Sequence, residues 1–135
     1  MERKKVMTKQ QPRGEITIQT LAMPSDTNPN GDIFGGWLVS QMDLAAGVLA
    51  KKVSGGRAVT VAIHSMSFLK PVQIGDIVTC YVYLLKRGNT SMTIEVEVWV
   101  EKAEQFVKHQ VTEGIFVFVA VDPNGKPRQI PAHNG

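Results

Sequence analysis

The sequence predicts an α+β fold in which an antiparallel sheet of about five strands wraps round one central helix. Apolar and small residues recur at helical spacing from Trp37 to about Lys52, and five other segments have strand-like patterns. The links KPVQIGD and KRGNTS are short, which favours antiparallel neighbours because a parallel pair needs a long crossover. With 135 residues, 43% of them apolar, the chain suits one domain with a single core.

The elements follow one another in the order strand, loop, helix and four strands. The first strand is predicted at Glu15 to Met23, and Pro24 with the turn-rich residues after it ends that strand. The helix should end at Ser54 to Gly56, with Lys51 and Lys52 favourably placed at its C-terminal end. The four later strands are predicted in RAVTVAIHSMSFLK, DIVTCYVYLLK, SMTIEVEVWVEK and TEGIFVFVAVD.

The last two of these strands should differ in burial. From Met92 to Glu101, apolar residues alternate with Thr and Glu, which predicts one buried and one exposed face. From Ile115 to Val121, both faces are apolar. We therefore expect the last strand to be covered by the helix on one side and by a partner surface on the other.

The net charge of +3 comes largely from the N-terminus. Residues 1–14 have many cations and no apolar periodicity, so we expect a flexible basic arm there, a single domain at 15–131 and a short tail at 132–135. The remaining charge is nearly balanced. This argues against a nucleic-acid partner, which would need a basic stripe on a folded element.

Neither a membrane nor a metal is expected as a partner. No apolar run approaches the roughly 18 residues of a membrane span, and the N-terminus lacks a secretory signal, so we expect a cytoplasmic protein. Cys80 falls in an alternating strand, where a buried structural thiol is expected. His64, His109 and His133 show no metal-ligand spacing with it, and no dinucleotide or P-loop motif occurs. We therefore expect no cofactor.

Two glycines, Gly35 and Gly36, stand at the entrance of the helix. Backbone N–H groups there have no acceptor in the helix and carry partial positive charge, so they could stabilise an oxygen that gains negative charge. The alternative is that the glycines only make a tight turn.

Asp43 interrupts a face of small residues in the same helix. A carboxylate on such a face is costly unless it is paired, hydrogen-bonded or used. It therefore either bonds a neighbouring loop or backbone amides, or acts in catalysis close to free N–H donors.

Gly36 and Asp43 are seven residues apart, which is about 10 Å along a helix axis. At that distance, the two residues of one helix cannot both contact one substrate carbonyl and its attacking water. If both residues serve one substrate, the simplest arrangement is a two-fold dimer that brings Gly36 of one helix near Asp43 of the other.

The segments LAMPSDTNPNGDIFGGWLVSQMDLAAGVLA, VTVAIHSMSFLKPVQIGDIV and GNTSMTIEVEVW resemble the hotdog-fold acyl-CoA thioesterases, most closely the bacterial YciA-type enzymes. The resemblance extends from about Ile16 to Asp122. It implies a sheet wrapped round the helix, two subunits that form the active sites together, and further association of three dimers into a hexamer.

The resemblance also implies roles for individual residues. Asp43 matches the catalytic carboxylate of the family and Gly36 the backbone oxyanion donor. Asp32 matches a position where some relatives carry a catalytic Asn, although it could equally be an N-terminal cap. His64 stands where relatives have an acidic residue, and it could be a pH-sensitive polar contact or a surface or interface residue.

The implied reaction is hydrolysis of acyl-CoA to CoA and a free acid, so coenzyme A is part of the substrate and not a cofactor. Asp43 would act either as a general base on water or as a nucleophile. Because CoA brings phosphates, cations and hydroxyls near a loop are candidates for binding it. These candidates are Arg57, Lys70, Lys86, Arg87, Thr90 and Ser91.

Two other functions remain open from the sequence. One is a hotdog dehydratase or hydratase that acts on acyl thioesters. Such an enzyme would be expected to use a paired His and acid near the helix, and this helix has no His. The other is an acyl-CoA binding or sensing protein that does not turn its ligand over.

Overall fold

The computed structural model describes residues 11–102, 104–105 and 107–132. One helix, α1 (Gly35–Ser54), is combined with five strands, and a short 3-10 turn (Pro24–Asp26) precedes it. The strands are β1 (Glu15–Leu21), β2 (Ala58–Phe68), β3 (Ile77–Arg87), β4 (Ser91–Lys102) and β5 (Val107–Ala120). They form one antiparallel sheet in the order β1-β3-β4-β5-β2. The predicted architecture is therefore confirmed.

Helix α1 packs closely against the sheet through small side chains. Its buried residues are Leu38, Met42, Ala45, Ala46, Leu49, Ala50 and Ser54. A Cβ atom added at Gly47 would lie only 3.8 Å from the Phe118 ring of β5. The helix ends as the sequence predicts, because Gly55 takes the left-handed conformation (φ 73°) and its N–H donates to the Lys51 carbonyl.

The two faces of β4 are buried to a greater extent than the sequence predicts. Its apolar face, from Met92 to Val100, is fully buried as expected. On the opposite face, Glu97 and Trp99 are also buried, and the Trp99 Nε1–H donates to Glu97 Oε1 at 2.9 Å, which helps to satisfy the buried carboxylate. The Arg13 backbone N–H reaches the same oxygen at 3.3 Å, so the chain before β1 covers part of this face.

Arg13 lies at the end of the arm predicted at residues 1–14. Its guanidinium stands 3.7 Å from the centroid of the Tyr83 ring and 3.5 Å from Glu95 Oε1. Residues 1–10 of the predicted arm and residues 133–135 of the predicted tail lie outside the described residues.

The last strand, β5, is buried on one side and half-buried on the other. Phe116, Phe118 and Ala120 face the core, whereas Ile115 and Val119 on the opposite face keep some exposure. Within the single chain, the expected burial of both faces is thus incomplete. On β3, Cys80 is buried as predicted, and burial raises the pKa of its thiol to about 12.

Strand β2 forms one edge of the sheet and exposes apolar side chains. Val61, Ile63 and Phe68 are 56%, 44% and 54% exposed, and the adjoining Leu69 is similar. The strand is irregular between His64 and Ser67, where Ser65 takes a left-handed backbone conformation (φ 56°).

No helix in the part of the chain that the structure describes has the length and apolar character needed to cross a membrane.

Candidate active site

The carboxylate of Asp43 is half-buried between α1 and the edge strand β2. Its Oδ1 accepts a hydrogen bond of 2.6 Å from the Thr60 hydroxyl of β2. Across residues 11–102, 104–105 and 107–132, no other group bonds this carboxylate, so Oδ2 is available to a further partner. A carboxylate with one oxygen fixed and the other accessible can orient water or attack a carbonyl carbon.

The backbone amide of Gly36 lies in the first turn of α1, seven residues before Asp43. Gly35 and Gly36 are exposed, and the first helical bonds within the chain are made by Trp37 and Leu38, whose N–H groups donate to the Phe34 carbonyl. The Gly36 N–H thus has no acceptor among the described residues. A Cβ added at Gly36 would meet nothing within 4 Å. Packing among the described residues therefore does not require a glycine at position 36, whereas a Cβ at Gly35 would contact the Phe68 ring at 3.4 Å.

Asp32 is not the N-terminal cap of α1, which corrects one of the two roles considered for it. The cap position is Phe34, which has no side-chain capping bond. Asp32 is half-buried two residues earlier, where it forms an isolated β-bridge with Gln73, and its N–H donates to Asn28 Oδ1 at 3.1 Å. It therefore belongs to the loop that leads into the helix.

Most of the candidate CoA-binding residues gather near the C-terminal end of α1. Arg57 leads into β2, and β2 pairs there with the end of β5 that also pairs with Ser91. The Thr90 carbonyl accepts from the Ala120 N–H, and Lys86 and Arg87 end the neighbouring β3. The structure thus brings together Arg57, Lys86, Arg87, Thr90 and Ser91.

Two clefts flank Gly55 in this region. The larger, of about 770 Å³, is lined by Lys52 and Arg87, with Glu15, Leu84 and Pro131 among the other lining residues. The Arg87 guanidinium donates to the Pro131 carbonyl, which holds the C-terminal segment over this cleft. The smaller, of about 330 Å³, has Arg57 and Arg128 in its wall.

Lys70 lies at the other end of β2 from Arg57 and is not close to the other candidate CoA-binding cations. It follows Phe68, whose ring would be 3.4 Å from a Cβ at Gly35, at the N-terminal end of α1. Lys70 instead lies near His109. Burial is the main cause that lowers the pKa of His109, and the positive charges of Lys70 and Lys102 add to the effect.

Two residues that bond to these elements are not predicted by the sequence analysis. Thr60 is one, since nothing in the alternation of β2 shows that its hydroxyl meets Asp43. Arg128 is the other, and its guanidinium donates to the carbonyls of Val121, Ser54 and Arg57. It thereby satisfies the carbonyl of the last residue of α1 and fixes the cationic end of the fold.

His64 has no hydrogen bond to Asp43 or Thr60 among the described residues. It is exposed on β2, and its Nδ1 lies 2.9 Å from the Ser65 hydroxyl. Over the described ranges, no three His, Cys, Asp or Glu side chains are placed to hold a metal ion.

Comparison with known proteins gives consistent results. A family model described as the thioesterase superfamily matches residues 30–107. The acyl-CoA thioester hydrolase YciA of Salmonella typhimurium is 54% identical over 123 residues, which cover 89% of this chain and 92% of that protein.

Two solved structures extend the comparison to three dimensions. The hexameric thioesterase y2039 from Yersinia pestis is 52% identical, with a TM-score of 0.87 over 91% of this chain and 100% of that one. Cj0915, a hexameric hotdog fold thioesterase of Campylobacter jejuni, is 41% identical, with a TM-score of 0.82 over 87% and 91%. The fold is therefore a hotdog fold. The chain belongs to the thioesterase superfamily.

Proposed function

We propose that this protein hydrolyses acyl-CoA thioesters to CoA and a carboxylic acid, with Asp43 as the catalytic carboxylate and the Gly36 N–H as the oxyanion donor. The observation that carries the proposal is the state of Asp43, half-buried on a helix, fixed at Oδ1 by Thr60 and accessible at Oδ2. The similarity to acyl-CoA thioester hydrolases supports the substrate class.

The active unit is a two-fold dimer. Gly36 and Asp43 lie on the same helix, about 10 Å apart along its axis, so one protomer's pair cannot hold a single thioester. The edge strand β2 carries exposed apolar side chains beside both Thr60 and the helix entrance. A second copy placed against this edge buries them and brings its own helix entrance towards Asp43.

In this arrangement the Gly36 N–H of one protomer stabilises the oxyanion that forms on the thioester carbonyl, and the partial positive charge of the helix entrance contributes. The carboxylate of the other protomer acts through Oδ2. In one route it takes a proton from the attacking water, the C–S bond of the tetrahedral intermediate breaks, and the proton passes to the departing CoA thiolate. In the other it attacks the carbonyl carbon itself, the C–S bond breaks to release CoA as the thiolate, and water then hydrolyses the mixed anhydride to the free acid and the Asp43 carboxylate. The reaction needs no cofactor, since coenzyme A enters as part of the substrate.

The cationic group at the C-terminal end of α1 binds the phosphates of CoA. Arg57 and Lys86 are exposed, and Arg87 borders the larger cleft together with Lys52. Guanidinium and ammonium groups beside the Thr90 and Ser91 hydroxyls suit charge-assisted bonds to phosphate oxygens. Lys70, at the other end of the sheet, can contribute only to a different part of the assembly.

The full assembly is a trimer of dimers. Two hexameric relatives, from Yersinia pestis and Campylobacter jejuni, share the fold at 52% and 41% identity. The half-buried face of β5 has partly exposed apolar side chains, and another subunit packed against this face would cover them.

The experiment is a thiol-release assay on short, medium and long acyl-CoAs with wild type, Asp43→Asn and Asp43→Glu. We expect wild-type turnover, with kcat lowered at least about 100-fold in Asp43→Asn and unaltered assembly. Unchanged turnover in Asp43→Asn would remove Asp43 from the mechanism. Tight acyl-CoA binding without turnover in wild type would instead identify a binding or sensing protein.

A further inference from the structure

Asp76 is a buried carboxylate immediately before β3, and the proposed mechanism does not use it. Its side chain is 6% exposed, and its Oδ1 lies 2.7 Å from the Lys102 ammonium at the end of β4. Its Oδ2 accepts the Gln73 backbone N–H at 2.9 Å. The Lys102 ammonium also reaches the Gln73 side-chain oxygen at 3.2 Å. These bonds hold the turn at residues 72–76 through both oxygens of Asp76 and through the side chain of Gln73.

The same turn is bonded to the loop that enters α1. The Ile33 N–H donates to the Val72 carbonyl at 2.9 Å, and Asp32 forms a β-bridge with Gln73. Ile33 and Val72 are both buried, so this contact is part of the core. The next residue, Phe34, provides the carbonyl that accepts the first bonds of the helix.

A short chain of bonds therefore connects Asp76 with the Gly36 amide. From the carboxylate it passes through Gln73 and Val72 to Ile33, and Gly36 follows three residues later. The helix entrance has no side-chain capping bond of its own. Its direction thus depends on the backbone contacts of the loop, and the turn at 72–76 supplies those made to Asp32 and Ile33 from outside the loop.

We propose that Asp76, paired with Lys102, is a positioning residue that fixes the direction of the Gly36 amide through the turn at residues 72–76. This inference rests on the proposed function. An oxyanion donor acts over a narrow range of distance, so a small displacement of the helix entrance lowers the rate without removing the binding contacts of CoA. A buried carboxylate held on both oxygens resists such displacement because breaking the pair is costly.

The test compares Asp76→Asn and Lys102→Gln with the control Glu95→Gln. Glu95 belongs to another ion pair of the same sheet, with Arg13, and among the described residues it has no bond to the helix entrance. We expect kcat to fall about tenfold in Asp76→Asn and by a smaller factor in Lys102→Gln, with KM within twofold of wild type. Glu95→Gln should keep the wild-type kcat.

Amide hydrogen exchange on the same assembled proteins gives a readout that does not depend on activity. Peptides covering residues 33–38 should exchange faster in Asp76→Asn than in wild type or Glu95→Gln, while peptides from the middle of α1 should be unchanged. Unchanged kcat, or unchanged exchange at the helix entrance, would overturn the proposal. Equal losses of kcat and thermal stability across all three variants would also overturn it, as a purely structural role predicts.

If Asp76→Asn does not assemble, Lys102→Gln carries the test, because it keeps the bond from the Gln73 N–H to Asp76. Absence of thioesterase activity in wild type would contradict the proposed function. Faster exchange at the helix entrance would still be measurable then, so the two failures are distinguishable.

Discussion

The Thr60 hydroxyl of β2 donates to Asp43 Oδ1 of α1 at 2.6 Å. This bond joins the edge strand to the helix and fixes one oxygen of the carboxylate, so the other oxygen points in a defined direction. A hydrogen bond to a charged group contributes about 1.5–3 kcal/mol, which is enough to matter for the geometry of catalysis.

Replacing Thr60 with Val should therefore lower kcat/KM by about tenfold, because the β-branched shape is kept and only the hydroxyl is lost. Thr60→Ser keeps a hydroxyl and is the matched control, for which we expect most of the activity to return. Steady-state kinetics on one acyl-CoA measure both. A Thr60→Val enzyme with wild-type kcat/KM would mean that the bond does not orient Asp43.

The proposal that Gly36 and Asp43 act across a dimer can be tested by mixing two inactive variants. Gly36→Pro removes the N–H, and proline is tolerated in the first turn of a helix. Gly36→Ala keeps the N–H, and its Cβ meets nothing within 4 Å in the chain, so it is the control for added bulk.

Co-expressed Gly36→Pro and Asp43→Asn chains should regain activity. A mixed dimer has one site with both defects and one intact site, so random pairing restores about a quarter of the wild-type sites. Sites contained within one protomer predict no recovery at all. The thiol-release assay on purified mixed oligomers distinguishes the two results.

The left-handed backbone at Ser65 predicts a stabilising substitution. A non-glycine residue with φ near 56° is strained, and the irregular pairing of β2 between His64 and Ser67 holds it there. Ser65→Gly should raise the free energy of unfolding by about 1 kcal/mol, since glycine adopts this conformation without steric cost.

Ser65→Ala is the control, because it removes the hydroxyl near His64 Nδ1 but keeps the strain. We expect no stabilisation from it. Denaturant unfolding at a fixed protein concentration measures both variants. Equal effects of Gly and Ala would show that the hydroxyl contact, and not the backbone, sets the stability at this position.

The fold could be predicted from the sequence because its signals are local. The apolar spacing of α1 and the alternation of β4 each follow from the order of residues, and the glycines after Ser54 end the helix as predicted. The exposure that the sequence predicts for the outer face of β4 is wrong at Glu97, for a physical reason. Glu97 is polar, but Trp99 and the backbone of Arg13 bond it, and such long-range contacts leave no mark in the alternation.

Only part of the candidate site can be inferred from local sequence signals. Asp43 and Gly36 stand out because a carboxylate and two glycines are unusual in a buried small-residue helix. Thr60 and Arg128 could not be found, since they lie 17 and 74 residues from the groups they bond, Asp43 and Ser54. Arg57 and Lys70 share only their charge, since they begin and end the predicted strand RAVTVAIHSMSFLK, and the structure accordingly has them at opposite ends of β2.

The environment of His109 predicts how stability depends on pH. Burial lowers the pKa of His109, and the charges of Lys70 and Lys102 lower it further, whereas Asp76 opposes the shift. Below a pH of about 6.5 the unfolded chain binds a proton at this residue more readily than the folded chain does. The stability associated with neutral His109 is therefore fully present above that pH and is lost as the pH falls through the lowered pKa.

His109→Gln should flatten the decrease of the melting temperature between pH 7 and pH 5.5, because glutamine does not titrate. His64→Gln, which replaces an exposed histidine of β2, is the matched control. Thermal unfolding over a pH series at constant ionic strength gives the slopes. An equal slope in His109→Gln and wild type would show that protonation of His109 is not coupled to folding. A flatter slope in that variant alone would assign part of the acid sensitivity to the protonation of His109, whose pKa is lowered first by burial and then by the charges of Lys70 and Lys102.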